Sequence, residues 1–224
     1  MMVCACSRGA PSLDEAREKM ISQQIVWQGI TNPKVIETMK TVPREEFVLP
    51  QYRDRAYEDL EVPIGEDQTL DRPYEDALML DAMGLVPTDR ILEVGTGAGY
   101  VAALISRLAK EVYTIEILEP LATTARERLK RLGYTNITVR HGDGFIGWKE
   151  AAPFDAMILT CSPDHVPTPL IEQLKEGGRI VLPLGGEERF QEILLYVKKD
   201  GKLILAKRLT AATFVPMEGK IKQP

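Results

Sequence analysis

Two stretches of this 224-residue chain hold residue types and spacings that could do chemistry. Residues 65–77 read Gly-Glu-Asp-Gln-Thr-Leu-Asp-Arg-Pro-Tyr-Glu-Asp-Ala, with five carboxylates (Glu66, Asp67, Asp71, Glu75, Asp76) and one arginine, Arg72. Residues 91–100 read Ile-Leu-Glu-Val-Gly-Thr-Gly-Ala-Gly-Tyr, with glycines at 95, 97 and 99 following Glu93. Two more acids end apolar runs: Glu116 in Tyr-Thr-Ile-Glu, and Asp143 in His-Gly-Asp-Gly. Carboxylates can serve as bases, hold cations, accept from hydroxyls or simply face water. Closely spaced glycines let a backbone turn sharply and approach a ligand. Which of these applies depends on the elements that position them.

Residues 13–42 predict two amphipathic helices. Met20, Ile21, Ile25 and Val26 are assigned to the apolar face of the first. Asn32-Pro33 caps and starts the second, with Val35, Ile36 and Met39 on its apolar side. Prolines at 43, 50, 63 and 73 interrupt the following stretch, which shows no sustained period and reads as a long irregular segment. Such segments within compact chains are more often functional than idle. From Asp89 the pattern becomes strand–helix alternation, with a helix expected over 167–178 before the strand Arg-Ile-Val-Leu-Pro-Leu-Gly. That rhythm implies βαβ units and a parallel sheet buried on both faces. Near the end, Asp200-Gly201 joins two strands as a type I′ hairpin signal. The division expected is a flexible tail over 1–12, a helical extension with an acceptor-site loop over 13–75, and a sheet domain over 76–224, packed as one globular unit.

Bulk properties exclude more than they assign. A net charge of −5 argues against a nucleic-acid or anionic-membrane binder, and 44% apolar residues describe an ordinary globular protein. Three cysteines, Cys4, Cys6 and Cys161, suit a reducing, cytoplasmic setting better than a disulfide framework. Cys4 and Cys6 with only His141 and His165 make a poor zinc set, so no metal is expected. The first residues lack a basic region before their short apolar run, and no segment approaches the ~20 apolar residues that span a bilayer. The expectation is a monomer without membrane or nucleic-acid partners.

The glycine loop follows a strand and opens a helix. A tight turn without a ligand would account for it, as would a dinucleotide fingerprint, but the third glycine comes one place too early for the latter. The spacing Glu-x-Gly-x-Gly-x-Gly is instead the pattern of S-adenosylmethionine-dependent methyltransferases. A dinucleotide brings a pyrophosphate that seeks amides and a helix N-terminus. S-adenosylmethionine brings an amino-acid end, a sulfonium, two ribose hydroxyls and an adenine. Glu93 could attract the ammonium or sulfonium, Glu116 could accept both ribose hydroxyls, and Asp143 could accept from the adenine amino group. All three acids fall at strand ends, where open α/β sheets bind ligands.

Longer motifs narrow the resemblance. The segments VPREEFV, AYEDLEVPIG, QTLDRP, LEVGTGAGY, GDGFIGW, APFDAMILT, QLKEGGRIVLPLG and FVPM occur in the order seen in protein-L-isoaspartate O-methyltransferases, across roughly residues 17–219. The resemblance implies a class I, Rossmann-like α/β fold: a seven-stranded, mostly parallel sheet with a C-terminal antiparallel hairpin, plus an N-terminal helical extension. It implies esterification of the carboxylate of L-isoaspartyl residues in damaged peptides and proteins, a repair route through a succinimide. Matched onto this chain, the cofactor positions are Glu93, Gly95, Thr96, Gly97, Gly99, Glu116, Ile117, Asp143 and Gly144. The acceptor positions are Gln68, Thr69, Arg72, Val215 and Pro216, with Asp71 at the catalytic position.

Asp71 departs from the family, which usually has serine there in Gln-Thr-Ile-Ser-Gln-Pro. A second departure is Thr-Cys-Ser-Pro-Asp-His at 160–165, where Cys161 and Ser162 would edge the site or fill a tight turn. An acceptor carboxylate is already ionised at neutral pH and needs positioning and desolvation more than a base. A serine can donate to it; an ionised aspartate at ~4 Å would repel it by roughly 1 kcal/mol in water and about 4 at intermediate dielectric. Three readings stay open. Arg72 neutralises Asp71 or itself clamps the acceptor; Asp71 is protonated and donates as serine does; or the acceptor differs, being a modified natural-product peptide or a small acid. A catalytically impaired S-adenosylmethionine-binding module is a further alternative. Asp71 as a helix cap, Glu75 and Asp76 as first-turn acids, and Glu66 and Asp67 as solvated loop acids are the plain structural roles.

Overall fold

The structure is a computed structural model that describes residues 11–185 and 190–219. The expected tail over 1–12, with Cys4 and Cys6, lies outside the described residues apart from its last two. Helix α1 (Leu13–Lys19) starts at Ser12, whose hydroxyl accepts from the Glu15 N–H while the Glu15 carboxylate accepts from the Ser12 N–H. This reciprocal cap fixes the entry of the chain. The helix widens into π-type turns over Met20–Val26, burying Met20, Ile21 and Ile25. Val26 does not join them and is 44% exposed. Helix α2 (Pro33–Thr41) is capped by the Asn32 side chain on the Lys34 N–H and buries Val35 and Met39, as expected.

The irregular segment holds more order than its prolines suggest. Two short 3-10 turns, Arg44–Glu46 and Pro50–Arg55, lead into an antiparallel pair, β1 (Val62–Gly65) and β2 (Gln68–Leu70). Glu66 and Asp67 form its tip, with left-handed φ of 52° and 55°. Helix α3 (Pro73–Met83) follows at once, and the division expected between 75 and 76 falls inside it. Its N-cap residue is Arg72, without a side-chain cap bond, so Asp71 does not cap it.

The large sheet has the order β5-β4-β3-β6-β7-β8-β9. Its parallel part comprises β3 (Arg90–Val94), β4 (Glu111–Glu116), β5 (Ile137–His141), β6 (Phe154–Leu159) and β7 (Leu174–Leu184). Helices α4 (Tyr100–Ser106), α5 (Glu119–Arg131) and α6 (Thr168–Gln173) lie between its strands along the chain. The helix expected over 167–178 stops at Gln173, because Leu174 already pairs with Phe154 and the residues through Gly178 bulge before pairing resumes at Arg179. Strands β8 (Gln191–Lys199) and β9 (Lys202–Ala212) complete the sheet antiparallel, joined through Asp200 and Gly201 with φ of 53° and 72°. Positive φ at both turn residues is the type I′ signature.

Ile91 and Ile158 pack in one core with Met20, Met39, Phe47, Leu80 and Leu104. Leu92 and Leu159 pack on the other face with Met157 and Leu182. Burial on both faces matches a parallel sheet. The chain leaves β3 toward β4 on one side and later places β6 on the other, so a crevice opens beyond their carboxyl ends.

Candidate active site

A cavity of about 240 Å³ fills that crevice. Its walls come from residues 68–71, 94–98, 115–118, 160–161 and 215–218, with Gly144 and a few apolar side chains. The charged side chains among the described lining residues are Asp67, Asp71, Glu116 and Glu218; none is basic. A pyrophosphate would be repelled there, whereas a ligand carrying an ammonium and a sulfonium would be attracted.

One wall is built by backbone. The Gly95 and Thr96 N–H groups donate to the Ile115 carbonyl at 2.9 and 3.2 Å, holding the glycine loop against β4. Gly97, at φ 51°, donates its N–H to Glu116 Oε2 at 2.8 Å, and Leu118 donates to Oε1 at 3.0 Å. Glu116 is thereby fixed with its carboxylate on the cavity, beside Ile117. A side chain on Gly97 would put its Cβ 3.2 Å from Ile64 Cδ1, and one on Gly144 would put it 2.3 Å from Val94 Cγ1. Thr96 also lines the cavity, its hydroxyl 2.6 Å from that of Thr114.

Three of the expected cofactor residues stand behind this wall. Gly99 caps α4, and a Cβ there would press on Leu129 of α5 at 3.2 Å, so it serves helix packing. Asp143 accepts from the Phe145 N–H at 2.9 Å, and Gly219 lies against its carboxylate. Glu93 is fully buried, and neither of its oxygens has a hydrogen-bond partner among the described residues. Burial pushes its pKa up to about 8, with the nearby Thr114 hydroxyl moderating the shift.

The other wall is built by side chains. Gln68, Thr69 and Asp71 line the cavity from β2 and its exit, and Val215 and Pro216 from the C-terminal segment. That segment is extended and bridged to Ser162: Ser162 N–H donates to the Val215 carbonyl at 2.8 Å, and Met217 N–H to the Ser162 carbonyl at 2.9 Å. Cys161 is on the cavity wall, whereas Ser162 is occupied with the bridge.

The arginine beside Asp71 is not the expected one. Arg72 points outward and pairs with Asp59 at 2.7 and 3.1 Å. Arg44, wholly buried, occupies the inner position. It donates Nη1 to Asp76 Oδ2 at 3.0 Å, Nη2 to the Asp71 carbonyl and Nε to the Ala56 carbonyl at 2.8 Å, and its guanidinium lies 4.8 Å from the Tyr100 ring centroid. Arg72 precedes Pro73 and is itself held extended, and in extended backbone successive side chains point to opposite sides. Arg44 and Asp76 thus belong to this wall although chemical reading of the sequence singled out neither as a pair. The available signal was an arginine buried in the motif Val-Pro-Arg-Glu-Glu-Phe-Val.

A parallel sheet with this strand order, a glycine loop after its first strand and an acid at the end of the second define a class I S-adenosylmethionine-dependent methyltransferase. Residues 15–222 match the family model described as "Protein-L-isoaspartate(D-aspartate) O-methyltransferase". A Shewanella sediminis (strain HAW-EB3) protein named "Protein-L-isoaspartate O-methyltransferase 2" is 47% identical over 204 residues, 91% of this chain and 83% of its own. A solved protein-L-isoaspartate O-methyltransferase is 31% identical, with a TM-score of 0.80 over 91% of this chain and 66% of that one. A Plasmodium falciparum protein solved with S-adenosyl-L-homocysteine shares the fold at 24% identity, with a TM-score of 0.78 over 93% of this chain and 99% of that one. The chain belongs to the protein-L-isoaspartate(D-aspartate) O-methyltransferase family, whose cofactor is S-adenosylmethionine and whose reaction esterifies isoaspartyl carboxylates.

Proposed function

We propose that the two walls divide the work of isoaspartyl methylation, residues 76–224 holding the cofactor and residues 13–75, with the C-terminal segment, receiving the damaged peptide. The single observation behind this reading is that the glycine loop, Glu116, Asp71 and Val215-Pro216 all line one cavity. When bound, S-adenosylmethionine supplies a sulfonium-activated methyl group that an ionised carboxylate accepts in line without a base. The Gly95, Thr96 and Gly97 backbone would cradle it, with Glu116 available to accept from its hydroxyls and Ile117 and Gly144 holding it from the cavity wall. Glu93, Gly99 and Asp143 act from behind, holding loop, helix and turn in register.

Gln68, Thr69, Val215 and Pro216 enclose the acceptor and exclude water, which strengthens every charge interaction inside. Asp71 meets the acceptor carboxylate, and Arg72 meets the peptide chain outside the cavity, where it is exposed beside Asp59. We further infer a cytoplasmic monomer that acts on peptides and proteins and not on nucleic acid, in keeping with the net charge of −5 and the acid-lined cavity. The test is transfer of tritiated methyl to paired isoaspartyl and aspartyl peptides. Base-labile label on the isoaspartyl member alone is expected; label on neither, with label on a small acid or an unrelated peptide, would move the acceptor elsewhere.

A further inference from the structure

Asp76 and the Arg44 guanidinium are enclosed under α3, and Asp71, part-buried, stands beside them on the cavity wall. Asp76 is 2% exposed and Arg44 not at all. One buried cation balances one buried anion, and a second ionised carboxylate there would be uncompensated. The geometry decides which carboxyl takes the charge. Arg44 gives Asp76 a direct hydrogen bond to its carboxylate, but touches Asp71 only through the backbone carbonyl.

We propose that Arg44 and Asp76 are positioning residues for Asp71: the guanidinium commits its charge to Asp76, so Asp71 keeps its proton and meets the acceptor carboxylate as a hydrogen-bond donor. The inference rests on the isoaspartyl reading for its acceptor, and not for the proton itself. The proton stays on Asp71 throughout, because carboxylate methylation neither consumes nor releases one. An aspartate thereby does what a neutral hydroxyl would do at that place.

The surroundings act in the same direction. Burial raises Asp71 well above the ordinary carboxylate range, Asp76, Glu75 and Glu61 raise it further, and Arg44 opposes them. Asp76 is also raised by burial, to about 7, with both the charge and the hydrogen bond of Arg44 opposing. Cys161 faces Asp71 from beyond β6, and its thiol is pushed up by burial, Glu116 and Asp71. Arg72 is engaged with Asp59 on the outer side.

The test combines a pH profile with a direct titration. Asp76→Asn removes the anion that occupies Arg44, so Asp71 should ionise and repel the acceptor. Expected is a loss in kcat/KM for an isoaspartyl peptide of about tenfold at neutral pH, recovered as the pH is lowered; tenfold corresponds to about 1.4 kcal/mol. In an Asp71→Ser background the same change should cost less than about twofold, since little repulsion remains. Equal losses in both backgrounds at every pH would make Asp76 merely structural and overturn the proposal. Carbon-13 NMR of aspartate-labelled protein, with Asp71 assigned by its absence in Asp71→Ser, reads the proton without turnover and on the native chain. An Asp71 that titrates in the ordinary range overturns the inference whatever acceptor the enzyme uses. A high titration that Asp76→Asn lowers, on an enzyme inert to isoaspartyl peptides, upholds the proton assignment and counts against the acceptor alone.

Discussion

The two walls of the cavity handle carboxylates in opposite ways. Glu116 is held by N–H groups of Gly97 and Leu118, the latter two residues away along the chain and the former on the loop that β4 itself supports. Asp71 and Asp76 depend on Arg44, whose bond to Asp76 spans 32 residues. A backbone-made site tolerates exchange of most surrounding side chains but not a change of backbone conformation. A site made by one buried side chain fails when that side chain is removed. The cofactor wall is therefore local and geometric, and the acceptor wall non-local and electrostatic.

The largest break in ligand binding is expected at Gly97. Its φ of 51° suits glycine, and a Cβ would sit 3.2 Å from Ile64 Cδ1 on the cavity side. A β-branched residue is least able to adopt such a conformation. Gly97→Val should weaken S-adenosylhomocysteine binding by at least about a hundredfold, about 2.7 kcal/mol by the affinity scale, in calorimetry. The parent protein should bind that ligand and not NAD. Retained affinity in the variant would remove the backbone account of this wall.

On the other wall the corresponding break is Arg44→Ala. It strands Asp76 and opens the Tyr100 stack, and removing one partner of a buried pair typically costs about 3–5 kcal/mol. Denaturant unfolding should show that loss. Adding Asp76→Asn should recover part of it, because the amide needs no counter-charge. A double variant as unstable as the single one would mean that packing, and not charge, makes Arg44 important.

The same contrast explains what could be read from sequence. The parallel sheet followed from strand–helix alternation, and the β8–β9 turn from Asp200-Gly201, because each signal is contained within a few residues. Gly95, Gly97 and Glu116 were legible for the same reason, and they do line the cavity. The β1–β2 pair was hidden by Pro63 and by its short strands, and the bulge in β7 by the helix-like run before it. Arg72 was assigned to Asp71 because it is adjacent in sequence. The true neighbour is set by how the Arg44 turn packs under α3, and no local pattern encodes that. Glu93, taken for a cofactor contact from its place in the glycine motif, faces inward, since β3 is covered on both faces.

Glu93 gives a smaller effect, and one with a defined sign. Its pKa is about 8 in the fold against an ordinary 4.5, chiefly through burial. Between those values the folded state holds more protons than the unfolded one, so stability falls as pH rises through that window and levels off above it. Glu93→Gln removes this penalty. Unfolding free energies over a pH series should show the variant gaining on the parent from about pH 5 to 8, by at most a few kcal/mol at about 1.4 per pKa unit. Asp71 and Asp76 add slope of the same sign in both proteins, so the difference curve reads Glu93 together with its repulsion by Asp76. A flat difference would mean that Glu93 is ionised in place.

The smallest effect should come from Arg72, and its smallness is what separates the two arginines of the acceptor wall. Arg72 is 45% exposed and Asp59 36%. Hydrogen bonding with Asp59 is the main cause that raises the Arg72 pKa, so its charge is fixed at every working pH. Exposed ion pairs of this kind contribute about 0–1 kcal/mol after screening and side-chain ordering. Arg72→Ala should therefore shift stability by less than about 1 kcal/mol and leave the pH profile of methyl transfer in place, because Asp71 does not depend on it. A contact with the peptide chain outside the cavity would appear as a KM rise of about two- to threefold with kcat unchanged, the pattern of lost uniform binding. Peptide kinetics at two ionic strengths check this, since a screened rim contact should weaken in salt for the parent and not for the variant. A collapse of kcat in Arg72→Ala would erase the distinction between inner and outer arginine, and would return Arg72 to the role that its place beside Asp71 in the sequence suggested.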